Sequence, residues 1–446
     1  MVNLQKVRIS QFLKERVGRY RPNDEVVRSL KRLDKIDFSG NVYLTDKDSK
    51  TDMIIIEPGD LVISGINVSK GAIAIYYGKE PITATIHYSS YIFDENVVDI
   101  NYFKRFIKSQ SFVQALKDQV KGGIKTEIKP KHLLPLEIIL PEIRKQKEIV
   151  SFFDSIENKI GSISNNNNQQ RSFIIKLRQQ VLQEAIEGKL TAKWRRDHSV
   201  LISGDNHASR LLEKIQAEKE RLIKEGKIKK EKPLATITDH EKPFELPEGW
   251  VWSRLGDICD FITKGTTPPT NELKSEGEIP YLKVYNIVNQ KIDFFYRPQY
   301  ISKKIHEKYN RSKVYPGDVL MNIVGPPLGK IAIVPNSFEE WNINQALAIF
   351  RSVVKEMNPY IYVCLLAGFE IKKIHTLGIV GQDNISLAQC RNIICPVPPI
   401  DEQKMILKRV GNIMAIIDGL EKQISERKSQ SEMLMQSVLR EAFATS

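Results

Sequence analysis

PEIRKQKEI (Pro141–Ile149) and PPIDEQKMI (Pro398–Ile406) are one segment written twice, 257 residues apart. The same offset pairs Gln146 with Gln403, Lys147 with Lys404, Ile156 with Ile413 and Leu177 with Leu434. It runs on to Val181-Leu182 over Val438-Leu439 and Glu184-Ala185 over Glu441-Ala442. Upstream, EPGDLVISGINVSKGAIAI (Glu57–Ile75) falls on YPGDVLMNIVGPPLGKIAI (Tyr315–Ile333) at an offset of 258. Pro58-Gly59-Asp60 meets Pro316-Gly317-Asp318, Gly71 meets Gly329, and Gly123 meets Gly381. A period this long is not that of a solenoid. It marks a duplicated unit, a domain followed by a tail.

The tails are periodic. Ile149, Phe153, Ile156, Ile160, Ile163, Asn167, Gln170, Ile174, Leu177 and Val181 keep an alternating four-three spacing. Ile406, Val410, Ile413, Ile417, Leu420, Ile424, Arg427, Ser431, Leu434 and Val438 repeat it step for step. A sustained heptad of apolar residues specifies a left-handed coiled-coil seam. A proline, Pro141 or Pro399, stands where each helix should start, as helix N-termini favour. At 1.5 Å per residue such helices would be about 65–70 Å long. Both seams turn polar at the same place, a device that fixes register and partner. Two matching seams in one chain predict that they pair with each other, antiparallel, because each follows its own domain.

The composition supports a multi-domain protein with a polyanionic partner. The chain has 446 residues, 67 basic against 54 acidic side chains, a formal charge of +13 and 41% apolar residues. Charge of this sign bears on association, not on fold. MVNLQKVRIS has no secretory pattern, and the longest apolar run, Tyr360–Ala367, is far short of the ~20 residues of a membrane span. A cytoplasmic location is expected. The cysteines, Cys259, Cys364, Cys390 and Cys395, all fall in the second half. Without a second Cys or His pair at finger spacing, they read as reduced core thiols and not as a metal site.

The fold expected is α+β: two similar globular α/β domains separated by two long antiparallel helices in a coiled coil. The first domain spans 1–134, with strand-like runs such as Met53–Ile56, Leu61–Ile63 and Ala72–Ile75. The first long helix spans 135–190. A charged bridge at 191–243 holds a shorter helix near 209–225. The second domain covers 244–397 and the second long helix 398–446. The bridge helix carries a narrow apolar stripe (Leu211, Leu212, Ile215, Leu222) that predicts a docking face for a partner.

Catalytic signatures are missing. No Pro-Pro pair has an acid or amide before it and an aromatic after it, as a base-methylating loop requires. GPPLGKI (Gly325–Ile331) has three residues between its glycines and an isoleucine where magnesium would need Ser or Thr, so it reads as a structural turn. The two PGD segments read as turns opening strands. Nucleic-acid binding fares better. Basic groups recur at Arg19 and Arg21, Lys70, Lys121 and Lys125, Lys264, Lys283, and Lys303, Lys304 and Lys308. Thr126, Thr266, Thr267, Asn286, Asn344, Gln345, Gln382 and Asn384 add polar groups near where strands should end. Lys and Arg supply salt-dependent phosphate attraction, and amides read base edges. Arrays of this kind in both copies predict two DNA-reading faces.

LPEGWVWSRLGDICDFITKGTTPP (Leu246–Pro269), IPYLKVYNI (Ile279–Ile287), YPGDVLMNIVGPPLGKIAIV and GQDNIS…ICPVPPIDEQKMI resemble the DNA-specificity subunit of Type I restriction–modification systems. The bridge GKLTAKWRRDH…LLEKIQAEKERL is similar to that family's central region, and the likeness covers nearly the whole chain. Two departures stand out. The first domain lacks an LPEGW-type opening, and Glu402-Gln403-Lys404 is matched by Lys145-Gln146-Lys147. The resemblance implies a subunit that is not itself an enzyme and binds no cofactor. Each domain would read one half of a split, asymmetric target in double-stranded DNA, with half-sites on one face about 34 Å apart. Two methyltransferase subunits would bring S-adenosylmethionine, and two restriction subunits would bring ATP and Mg. The residues alone also admit a DNA-binding structural or regulatory protein without such partners, or a stand-alone modification enzyme.

Overall fold

In the computed structural model the repeated segments open helices of 44 residues, Ile143–Ile186, and 45 residues, Ile400–Ala444. The structure describes residues 4–38, 40–66, 72–107, 109, 112, 114–115, 118, 129–325, 327–368 and 384–444. Two compact units result, residues 1–170 with 423–446 and residues 171–422. The division falls inside both long helices, so each unit holds one domain and a stretch of each helix.

Within the second unit the helix stretches run antiparallel. Arg178 Nη2 donates to Asp418 Oδ1 at 2.5 Å and Glu421 Oε2 at 2.8 Å, and Arg409 donates to the Leu190 carbonyl. Numbers rise on one helix as they fall on the other. In the first unit Val438 packs on the core that contains Val150 and Phe153. The seam differs from the heptad expectation. One seven-residue series is buried: Phe153, Asn167, Ile174 and Val181, with Val410, Ile417 and Ile424. The other series is more open, with Ile163, Leu177, Leu420 and Leu434 between 39% and 55% exposed and Ile149, Ile156 and Ile413 half-buried, although Ile406, where the second helix starts against its domain, is 0% exposed. Two helices alone cover only a narrow strip of each other, so alternate seam positions stay at the surface.

The first domain contains β1 (Leu4–Arg8), β2 (Leu13–Glu15), β3 (Arg32–Ile36), β4 (Val42–Thr45), β5 (Met53–Ile56), β6 (Leu61–Ser64), β7 (Ile73–Ile75), β8 (Ile82–Thr85), β9 (Tyr88–Phe93) and β10 (Glu137–Pro141). They form sheets β2-β9-β6-β7 and β4-β3-β8-β5, plus the pair β1-β10 that hands the chain to the long helix. The second domain contains β11 (Val251–Arg254), β12 (Cys259–Lys264), β13 (Ile279–Leu282), β14 (Ile287–Val288), β15 (Lys291–Ile292), β16 (Tyr300–Ile301), β17 (Lys313–Val314), β18 (Val319–Asn322), β19 (Ile331–Ile333), β20 (Trp341–Ile343), β21 (Leu347–Ser352) and β22 (Ile394–Val397). Its sheets, β12-β21-β18-β19 and β16-β13-β20-β17 with the pair β11-β22, repeat the first domain strand for strand. Each second sheet includes one parallel contact, β3 with β8 and β13 with β20. The strands are short and both sheets bury apolar residues between them, which is why the sequence shows apolar runs rather than alternation.

The two PGD segments are the expected turns. Gly59 and Gly317 take φ of +89° and +90°, a conformation that glycine alone adopts freely. The next residue is a buried aspartate held by a two-pronged arginine, but the arginine comes from different strands. Arg16, just after β2, reaches Asp60 at 2.6 and 2.8 Å. Arg351, within β21, reaches Asp318 at 2.9 and 2.6 Å. Asp318→Ala should therefore strand a largely buried guanidinium and cost about 3–5 kcal/mol. Denaturant unfolding would show this, and Asp318→Ala with Arg351→Met should recover most of the loss.

The bridge helix, Ala208–Lys224, corrects one expectation. Ile215 is 1% exposed and packs with Leu211 and Leu212 on the second domain's core beside Trp250 and Leu255. Lys219 Nζ donates to the carbonyls of Gly256, Asp257 and Cys259 at 2.7–3.2 Å. The stripe is spent inside the unit and is not a docking face. It looked unpartnered because its covering surface begins about forty residues downstream. All four cysteines are buried thiols, and burial pushes Cys390 up to about 12.

Candidate nucleic-acid interface

In the second domain three loops meet at the end of the parallel pair β13 and β20. Gly265 N donates to Leu347 O at 3.0 Å, Thr266 N to Ile343 O at 3.1 Å and Asn344 N to Leu282 O at 3.0 Å. A β-carbon on Gly265 would lie 2.2 Å from the carbonyl oxygens of Ile343 and Asn344, so only glycine lets the loops come this close. Tyr281 Oη donates to the Thr266 carbonyl at 2.9 Å and Ser312 Oγ to Thr266 Oγ1 at 2.8 Å. Lys264, Thr267 and Gln345 are exposed on this edge and Lys283 is half-buried beside them. Burial lowers the Lys283 ammonium from its ordinary value, because desolvation disfavours the charged form. Asn344 Oδ1 is buried without a hydrogen-bond partner among the described residues.

The first domain builds the corresponding edge from different residues. Arg16 N donates to Ser90 O at 2.9 Å and Gly65 N to His87 O at 2.9 Å. Residues 15–19 and 86–90, with Lys129, line a cleft of about 310 Å³ that includes Arg16, Arg19 and His87. Arg21 is exposed just beyond it, its backbone N–H donating to Asp24 at 2.7 Å.

Other expected residues divide clearly. Lys303, Lys304 and Lys308 are exposed on the short helix Lys303–Lys308, free to meet phosphate. Asn384 bridges to Val324, and its Oδ1 is buried without a partner among the described residues. Lys70, Lys121, Lys125, Thr126 and Gln382 lie outside the described residues. Asn286 is a correction. It is 1% exposed, accepts from Lys283 N at 3.0 Å and donates to the carbonyls of Asp293, Phe294 and Tyr296. Its amide is spent bracing its own loop and cannot read a base. In GPPLGKI, Asn322 donates to the Pro327 carbonyl at 2.9 Å and accepts from Lys330 N at 2.7 Å, the bonding of a structural turn. His306, Glu307 and Glu340 stand close enough together to hold a cation. The Lys313 ammonium, 2.7 Å from Glu307 and 4.0 Å from Glu340, already supplies the positive charge there.

A buried knot ties three sequence motifs together. Glu402 is 0% exposed and accepts from Thr191 Oγ1 at 2.7 Å and Trp250 Nε1 at 2.8 Å, with Arg195 Nε 3.5 Å away. Burial raises its carboxyl, while Thr191, Trp250 and Arg195 oppose the rise. GKLTAKWR, LPEGW and EQK thus share one carboxylate. The first unit has Lys145 at that place, paired at the surface with Glu148 at 3.0 Å. Gln146 and Gln403 keep a common role, donating to the Pro141 and Pro398 carbonyls at 2.8 and 2.9 Å.

Residues 247–427 match the model of the Type I restriction modification DNA specificity domain. The specificity subunit of the Type I restriction enzyme EcoEI of Escherichia coli is 29% identical over 274 residues, 60% of this chain and 44% of that protein. The EcoBI specificity subunit of Escherichia coli is 24% identical over 357 residues, 78% of this chain and 66% of that protein. The aligned part of the chain thus spans less than half of the EcoEI subunit. Among solved structures, a chain of a type I R-M system described for its complex assembly and conformational transition has a TM-score of 0.67 at 16% identity, covering 99% of this chain and 97% of that one. The HsdS subunit of Thermoanaerobacter tengcongensis gives 0.53 at 16% identity, covering 99% and 96%. At these identities the likeness is one of fold. The resemblance read from the motifs is borne out. Among the described residues no helix is long and apolar enough to cross a membrane.

Proposed function

We propose that this chain is the DNA-specificity subunit of a Type I restriction–modification complex, each domain reading one half of a bipartite, asymmetric target. The observation that carries the reading is the duplicated edge. One fold is used twice, and the same sheet end is furnished once with Arg19 and His87 and once with Lys264, Thr267, Asn344 and Gln345. Identical architecture with different polar loops is what two readers of two different half-sites require. The chain itself contributes recognition and no chemistry. S-adenosylmethionine would be bound by two methyltransferase subunits, and ATP with Mg by two restriction subunits, all in the cytoplasm. In the second unit the exposed seam residues Leu177 and Leu420 offer these partners an apolar surface.

The test is an exchange of residues 244–395 for the same region of a relative, with the methylated target read by sequencing the methylome. A hybrid is expected, the first half-site unchanged and the second replaced. A target that changed throughout, or not at all, would show that the domains are not independent readers.

A further inference from the structure

The connection between the first two strands of the mixed sheet differs sharply between the domains. In the first domain, residues 37–41 link β3 to β4, a turn of five residues. In the second, residues 283–299 link β13 to β16, seventeen residues that include the β14-β15 hairpin. The added segment leaves the sheet at Lys283, beside Thr266 and Asn344 at the edge described above.

Its tip exposes an aromatic ring on a rigid mount. Phe295 is 74% exposed and Tyr296 49%. The neighbouring Phe294 is 4% exposed and meets Trp341, Phe338 and Tyr300 edge-on at centroid distances of 5.2–5.6 Å. Asn286 holds three carbonyls of the tip, and Tyr285 Oη donates to the Arg297 carbonyl at 3.1 Å. Arg297 sits at φ +57°, a conformation that non-glycine residues keep only where their surroundings enforce it. Its guanidinium lies 5.3 Å from the centre of the Tyr296 ring. The segment carries Lys283, Lys291 and Arg297 against Asp293 alone, so the chain around the exposed ring is basic. The short turn of the first domain also exposes a phenylalanine, Phe38, to 54%.

We infer that Phe295 is a wedge whose ring enters a groove of duplex DNA on the second domain and unstacks one base step. The inference rests on the specificity-subunit reading. A mobile exposed aromatic would lose conformational freedom on insertion, whereas one fixed by Asn286 and Phe294 has little left to lose. Aromatic and aliphatic side chains that enter a groove part the stack in this way, and the segment's net positive charge suits the phosphates on either side. A docking surface for protein would not call for that charge.

The experiment uses the complex assembled with its methyltransferase partner and a duplex carrying the target read from its methylation pattern. 2-Aminopurine, which brightens when unstacked, replaces one base at a time through the second half-site and its flanks. The wild type should brighten one position several-fold. Phe295→Ala should abolish that signal and weaken target binding about tenfold or more, with non-target binding unchanged. Phe295→Trp should keep both. Because the ring is exposed, neither change threatens the fold. The wedge is overturned if no position brightens with the wild type, or if Phe295→Ala brightens it equally. It is overturned too if Phe295→Ala releases a protein subunit while the signal persists. Failure of the wild-type complex to bind any duplex would overturn the specificity reading, and the wedge with it.

Discussion

Glu402→Lys should unfold the second unit about 10 °C early, while the reciprocal change, Lys145→Glu, leaves the first unit within about 2 °C of wild type. The substitutions exchange the residues found at one position of the two copies. Glu402 is fully buried, and lysine there would place an ammonium beside Arg195 and turn the Thr191 and Trp250 donors toward a group that accepts nothing. A buried charge without a partner costs about 3–5 kcal/mol. Lys145 and Glu148 are 42% and 52% exposed, where exchanging charge is worth less than about 1 kcal/mol. The measurement is direct, because all four tryptophans, Trp194, Trp250, Trp252 and Trp341, belong to residues 171–422. Their emission follows that unit alone, and far-UV circular dichroism, which sees both units, follows the first by difference. Equal effects of the two substitutions would dismiss the knot.

Ile417→Asp and Leu420→Asp should behave oppositely although the heptad makes them equivalent. Ile417 is 1% exposed between the helices, and an aspartate there would cost about 3–5 kcal/mol. Leu420 is 44% exposed, so its replacement should move denaturant stability by no more than about 1 kcal/mol. Leu420→Asp should instead reduce co-purification of the methyltransferase partner. If both variants lost the same stability, the seam would be the full two-position heptad after all.

The sequence disclosed the duplication, the two long helices and the turn at each PGD, because all three are local or periodic signals. It could not disclose which seam series is covered. That depends on how far two helices shield each other, and the four-three spacing treats both positions alike. The bridge stripe was misread for a similar reason: Leu212 and Ile215 look orphaned until Trp250 and Leu255 are brought back over them. By sequence alone Asn286 is a candidate DNA-facing group, an amide free to pair with a base edge. Its three carbonyl partners are set by a loop whose path no local pattern records. Phe295 raised no signal at all, since Phe294 beside it has the same side chain and opposite surroundings.

The arginine that holds each PGD aspartate has a genetic consequence. A crossover between the two halves of the gene, with its breakpoint between the positions of Arg16 and Arg351, would yield two unequal products. One would join the Arg16 strand to the Arg351 strand and bring two guanidiniums to one carboxylate. The other would inherit neither and bury an unneutralised aspartate, a fault of several kcal/mol. Shuffling between halves is thus penalised in the stretch between the two arginine positions. Breakpoints outside that stretch, those in the codons of the long helices included, leave each aspartate with its own arginine, so the aspartate and its arginine change hands together.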